Sequence, residues 1–191
     1  MESVNTTNTV KIIAIGGRAG SGRKTLANAI GGNLISQETF ILDNAPKRIL
    51  IHPHLVNNRL LFDTLTALKN GKDVVIGDKT LRSTPVILFE GPFAFSDNEV
   101  ANLCDLKIYV DCDSDTTLAR IIARDFKDND LYEILGQWDT SKYVFDQSIA
   151  PMGKRADIVI PNQDRKLSDR AGVNLIKSYI RMHSDNGARE V

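Results

Sequence analysis

The stretch Val10-Lys11-Ile12-Ile13-Ala14-Ile15-Gly16-Gly17-Arg18-Ala19-Gly20-Ser21-Gly22-Arg23-Lys24-Thr25 decides the fold. Val10 to Ile15 is short, apolar and largely β-branched, which predicts a buried strand. Glycines follow at once, and a helix is predicted from about Lys24 to Ile30. A strand, a glycine-rich loop and a helix start in that order make a phosphate cradle. Glycines let the backbone curl until successive N–H groups converge, and the helix N-terminus adds positive potential. The competing reading is a tight turn with no ligand. Glycines at 16, 17, 20 and 22, with basic residues beside them, favour the phosphate site.

Outward from that loop the same alternation repeats. Leu34 to Ser36 predicts a second strand, and Leu60, Leu61, Thr64, Leu65 and Leu68 share one helical face that Gly71 ends. Val86 to Phe89 and Leu106 to Val110 predict further strands, and Ser114 is the expected N-cap of a helix reaching about Asp125. Leu131 to Ile149 is helical in pattern, with Pro151 after it. Ile158 to Pro161 is the last strand, and Arg170 to Met182 the closing helix. Strands this apolar need cover on both faces, so the expectation is an α/β fold with a doubly wound parallel sheet. Ligands in such sheets sit beyond the strands' carboxyl ends, which directs attention to the residues after Ile15, Ser36, Phe89 and Val110.

The chain has 191 residues, 24 Lys or Arg and 24 Asp or Glu, so its formal charge is zero and nothing draws it generally to nucleic acid or an anionic membrane. An apolar share of 42 % and a charged share of 25 % fit an ordinary globular domain. No apolar run approaches the roughly 18 residues of a spanning helix. Met1 to Thr9 has neither the basic nor the apolar region of a secretion signal, and Cys104 and Cys112 form no disulfide framework or zinc pattern. The expected setting is the cytoplasm, with flexible tails at 1–9 and 184–191 around one domain at 10–183.

The loop departs from the P-loop rule of Gly, four residues, Gly, Lys, then Ser or Thr. From Gly17 the second glycine is Gly22, the lysine position holds Arg23 and the hydroxyl position holds Lys24. Reading Lys24-Thr25 as the Lys-Thr pair instead places Arg18 and Arg23 on both glycine positions, so the first register is the better one. It also turns Leu26 and Ala27 inward. Arginine is a broad planar fork that cannot fill a lysine's slot between phosphates, and Lys24 puts a cation where a hydroxyl would meet Mg²⁺. Thr25 is rotated about 100° around the helix from that position.

Beyond the loop, Ile35-Ser36-Gln37-Glu38-Thr39-Phe40, His52-Pro53, Val86-Ile87-Leu88-Phe89-Glu90-Gly91, Asp105 to Asp111, Leu118-Ala119-Arg120, Arg124-Asp125, Phe145-Asp146-Gln147 and Ala156 to Pro161 occur in the order seen in uridine kinases. From Val10 to Ile180 the chain resembles the uridine kinase family of P-loop nucleoside kinases, with phosphoribulokinase and nicotinamide riboside kinase as distant relatives. The resemblance implies a three-layer α/β/α fold, ATP or another nucleoside triphosphate with Mg²⁺, and phosphoryl transfer to the 5′-hydroxyl of uridine or cytidine in pyrimidine salvage. It implies phosphate contacts from Gly17, Gly20, Ser21, Gly22, Arg23, Lys24, Thr25 and Arg124. Glu38 falls on the family's general base, Arg23 on its phosphate-gripping lysine, Glu90 and Thr25 near Mg²⁺, and Gln137 on a pyrimidine contact. Homotetramers, common in the family, make self-association an expectation carried by the resemblance alone.

Other family features are missing. Ile41 replaces a tyrosine, Ile51 an aspartate that would hold the ribose hydroxyls, and Ile121 an arginine. The substrate hairpin is reduced to Gly77–Ser83, and Lys127 to Asp130 lack the lid's arginines. Phosphoryl transfer works by positioning and charge, so such losses cost powers of ten in rate. Three readings follow: a weakened or altered pyrimidine nucleoside kinase, a catalytically degenerate nucleotide-binding or regulatory protein, or a kinase for another small hydroxyl compound. His52 and His54 read as structural, and Trp138, Tyr143 and Phe145 as helix-to-core packing.

Overall fold

A computed structural model describes residues 10–45, 52–164 and 171–184. Ile51 and the tail stretches 1–9 and 185–191 lie outside the described residues. Five parallel strands, β1 (Lys11–Gly16), β2 (Asn33–Ser36), β5 (Val86–Glu90), β6 (Leu106–Asp111) and β7 (Ile158–Pro161), lie in the order β2-β5-β1-β6-β7. A separate antiparallel hairpin joins β3 (Val74–Ile76) and β4 (Lys79–Leu81).

Side chains alternate across β1, so Ile12 and Ala14 enter one core while Ile13 and Ile15 enter the other. The Ile13 side is covered by α1 (Arg23–Ile30) and α7 (Ala171–Ser184), through Leu26, Ala27, Val173 and Ile176. The Ile12 side is covered by α2 (Asn58–Lys69) and α3 (Asn98–Leu103), through Leu61, Leu65 and Val100. The result is the expected three-layer α/β/α sandwich. A third cluster, Ile121, Ile134 and Trp138, joins α4 (Ser114–Asp125) to α5 (Leu131–Val144).

Three local expectations are corrected. Asp113, not Ser114, is the cap residue of α4; Ser114 opens the helix, and its hydroxyl accepts from Arg18. The helical run does not end before Pro151. It passes through a π turn at Phe145–Ile149 into α6 (Ala150–Arg155), where Pro151 sits in the first turn and needs no N–H donor. Helix α3, capped by Asp97 through the amides of Glu99 and Val100, was not expected.

The sheet places the loop after β1 beside the carboxyl ends of β5 and β6. In register, Ile15 lies opposite Glu90, and Ser36 opposite the same Glu90 from β2. The candidate functional residues after β1, β2 and β5 therefore meet at one edge of the sheet.

Candidate nucleotide site

Two glycines are set by contact as much as by torsion. Gly17 has φ 141°, and a Cβ there would lie 2.5 Å from the Val110 carbonyl oxygen. Gly20 has φ 78°, and its Cβ would lie 2.7 Å from the Thr117 carbonyl oxygen. No L side chain fits either place, so the loop is pressed between the end of β6 and α4. Ser21 pins it further. Its amide donates to the Arg18 carbonyl, its carbonyl accepts from Asn162 Nδ2 at 2.6 Å, and its side chain is fully buried. Ser21, expected at the phosphates, is thus turned into the protein as an anchor.

Among the described residues, no acceptor is bonded to the amides of Gly20, Gly22, Arg23 or Lys24. These orphan donors at a helix start are what an anion requires. Above them opens a cleft of about 820 Å³, a volume suited to a nucleotide-sized ligand.

Arg23 does not face that cleft as a phosphate grip. Its guanidinium turns back to donate to the Gly17 carbonyl, and Nε lies 3.5 Å from Glu90 Oε2. The physical reason is Glu90 itself, a carboxylate 1 % exposed at the end of an apolar strand, where an uncompensated charge would be costly. Burial lowers the pKa of Arg23, and the Glu90 charge opposes that shift. The other Glu90 oxygen accepts from Ser36 Oγ at 2.6 Å.

Lys24 lies on the open side. Its ammonium holds both oxygens of Glu38, at 2.9 and 2.8 Å, with both side chains about half exposed. The two acids expected to act as base and metal ligand are therefore each matched with one of the two residues that break the loop motif.

Three arginines complete the rim. Arg124, expected at the phosphates, lines the cleft while its guanidinium makes a two-point contact with Asp125 at 2.6 and 2.7 Å. That bond to Asp125 raises its pKa. Arg18 and Arg120 also line the cleft, and sequence reasoning passed over both as site residues. Arg18 stacks on Phe145, 3.6 Å from the ring centroid, and on Trp138 at 4.9 Å, which gives those aromatics a second role beside core packing. Arg120 donates to the Gly20 and Gln163 carbonyls. Its signal was its spacing of four from Arg124, which puts both on one face of α4.

Thr25 faces the cleft, as does Ile41. Gln137 does not line it; its amide contacts Glu133 along α5, and the neighbouring Trp138 and Ser141 face the cleft instead. No residue of the hairpin reaches the cleft either. His52 and His54 stack ring to ring with centroids 4.2 Å apart.

The two groups implied by the resemblance fit unequally. Nucleotide phosphates fit the open amides and the cationic rim. Mg²⁺ does not: the loop hydroxyl is a lysine, and the oxygens of Glu38 and Glu90 face cations or a hydroxyl donor. Among the described residues, no group of three or more His, Cys, Asp or Glu side chains is placed to hold a metal. Among the described residues, Thr25 and Ser141 bring hydroxyls to the cleft, Ser141's donating to the Trp138 carbonyl, and two neutral hydroxyls make no Mg²⁺ site.

Residues 50–168 match the model of the phosphoribulokinase / uridine kinase family. The chain belongs to that family. It is 32 % identical over 183 residues to a uridine kinase from Staphylococcus epidermidis, covering 81 % of this chain and 88 % of that one. It is 29 % identical over 198 residues to uridine-cytidine kinase A of Dictyostelium discoideum, covering 90 % of this chain and 39 % of that longer protein. The solved structure of a possible uridine kinase from Bacillus stearothermophilus superposes with a TM-score of 0.54 at 19 % identity, over 82 % of this chain and 91 % of that one, a likeness of fold. Among the described residues, no helix is long and apolar enough to cross a membrane.

Proposed function

We propose that this member of the uridine kinase family binds a nucleoside di- or triphosphate through the loop after β1 but transfers phosphate several powers of ten more slowly than an active kinase. One observation carries the reading. Arg23 is committed to Glu90 and Lys24 to Glu38, so the candidate base and the candidate metal ligand are both occupied within the protein. Charge that would stabilise the transferring phosphoryl group is spent on internal acids, and preorganised charge is the main source of rate in such reactions.

The acceptor side supports the same conclusion. Gln137 and the short hairpin lie away from the cleft, so few polar groups remain to orient a pyrimidine nucleoside. The role that remains is that of a nucleotide-binding or regulatory protein on a kinase scaffold. The test measures two quantities on one preparation: ATP binding by calorimetry, and ADP formation with uridine and cytidine as acceptors. The expected result is saturable binding with turnover no higher than in a Lys24→Ala control. Uridine phosphorylation at the rate of an ordinary kinase, about 1–100 s⁻¹, overturns the reading, as does the absence of binding.

A further inference from the structure

We infer that the nucleotide site takes its ligand without Mg²⁺, because Arg23 and Lys24 occupy the two acids, Glu90 and Glu38, that would hold the metal, and a lysine stands where the loop's hydroxyl would meet it. The inference rests on the nucleotide-binding reading above and adds its charge chemistry. Among the described residues, five cationic side chains line the cleft; Arg23, Lys24 and Arg124 are paired with Glu90, Glu38 and Asp125, while Arg18 and Arg120 make no ion pair with a described carboxylate. Glu38 is matched by the Lys24 ammonium at 2.8 Å. The buried Glu90 below is matched by Arg23 and by the Ser36 hydroxyl.

A divalent metal entering this arrangement loses on each count. Mg²⁺ demands near-octahedral oxygen ligands at about 2.0–2.1 Å and gives up its water reluctantly. To reach Glu38 it must expel the Lys24 ammonium from both carboxylate oxygens. To reach Glu90 it must break the Ser36 and Arg23 contacts in a site with almost no solvent access. At the loop position where a hydroxyl would complete its shell, it meets a like charge. A nucleotide already carrying Mg²⁺ has lost two negative charges, and so much of its attraction to the cationic rim. The uncomplexed polyanion, by contrast, meets open main-chain amides and the rim directly. The selectivity is thus for the bare nucleotide over its metal complex.

The experiment is a calorimetric titration of the full chain with ATP, once in EDTA and once in excess Mg²⁺. The expected dissociation constant in EDTA is ~10-fold lower than in Mg²⁺, a difference of ~1.4 kcal/mol. Binding that requires Mg²⁺, or is tightened by it, overturns this inference while leaving nucleotide binding intact. Absence of binding in both buffers overturns the nucleotide-binding reading and the inference together. The double variant R23K/K24S restores the loop's usual cation and hydroxyl and is expected to reverse the preference, so that Mg²⁺ tightens ATP. If it still favours bare ATP, the two side chains are not the cause and the inference fails. Lys24→Ser alone alters only a half-exposed pair and carries the same test if the double variant does not fold.

Discussion

Replacing Arg23 by Met separates the two ion pairs by their burial. Glu90 is 1 % exposed and Arg23 12 %, so the substitution strands a carboxylate in the protein interior. Removing one partner of a buried pair costs about 3–5 kcal/mol. The Nε–Oε2 separation of 3.5 Å is long for a charged hydrogen bond, and Ser36 still donates to the carboxylate, which places the expected loss near the lower end. A loss of ~3 kcal/mol lowers Tm by roughly 6–12 °C in a domain of this size. Lys24→Met breaks a pair whose members are 52 % and 54 % exposed, and should cost about 0–1 kcal/mol. Urea unfolding followed by circular dichroism gives both values. Adding Glu90→Gln to Arg23→Met should recover about 2 kcal/mol, since the stranded charge is then gone. Arg23→Met proving no costlier than Lys24→Met, or an additive cycle with Glu90→Gln, refutes charge compensation as the role of Arg23.

Further outcomes follow from other parts of the fold. Gly20→Ala forces a Cβ to 2.7 Å from the Thr117 carbonyl at φ 78°, so it should cost about 1–3 kcal/mol and abolish ATP heats in calorimetry. Burial pushes the Asp105 carboxyl up, but the Ile12 amide and Lys69, each at 2.9 Å, outweigh it and hold the pKa below its usual value. Its stabilising contribution is therefore present above the unfolded carboxyl's pKa, about 3.9, and lost as pH falls through the lower folded value. Denaturation as a function of pH should show that slope in the wild type and a flatter one in Asp105→Asn. Burial also pushes the Cys104 thiol up to about 12, so at pH 8 it stays the unreactive thiol. Iodoacetamide at pH 8 should leave Cys104 unlabelled in the native protein and label it after unfolding; mass spectrometry reads either result.

The layers were legible because their signals are local. Lys11–Gly16 and Val86–Glu90 are buried along almost their whole length, and no other element of that length and composition would hide both faces. The loop was legible from its glycines, two of which the structure packs against carbonyl oxygens. What stayed hidden depends on long-range geometry. Arg23 and Glu90 are 67 positions apart, and their pairing requires β1 to lie beside β5. Ser21 has the residue type of a phosphate ligand, but its side chain is buried and its carbonyl is held by Asn162, 141 positions away. Helix α3 is six residues long, too short to show a helical period. Pro151 suggested a stop, yet the π turn before it places the ring where no hydrogen-bond donor is needed. The aromatic seat of Arg18 was invisible for a further reason: Trp138 and Phe145 serve both the core and the cleft.

A two-dimensional ¹H–¹⁵N spectrum titrated with ADP in EDTA addresses the anion cradle itself. Saturable shifts are expected at the amides of Gly20, Gly22, Arg23 and Lys24, because those donors lie open at the start of α1. Saturation elsewhere on the protein with these four amides unmoved would contradict the cradle.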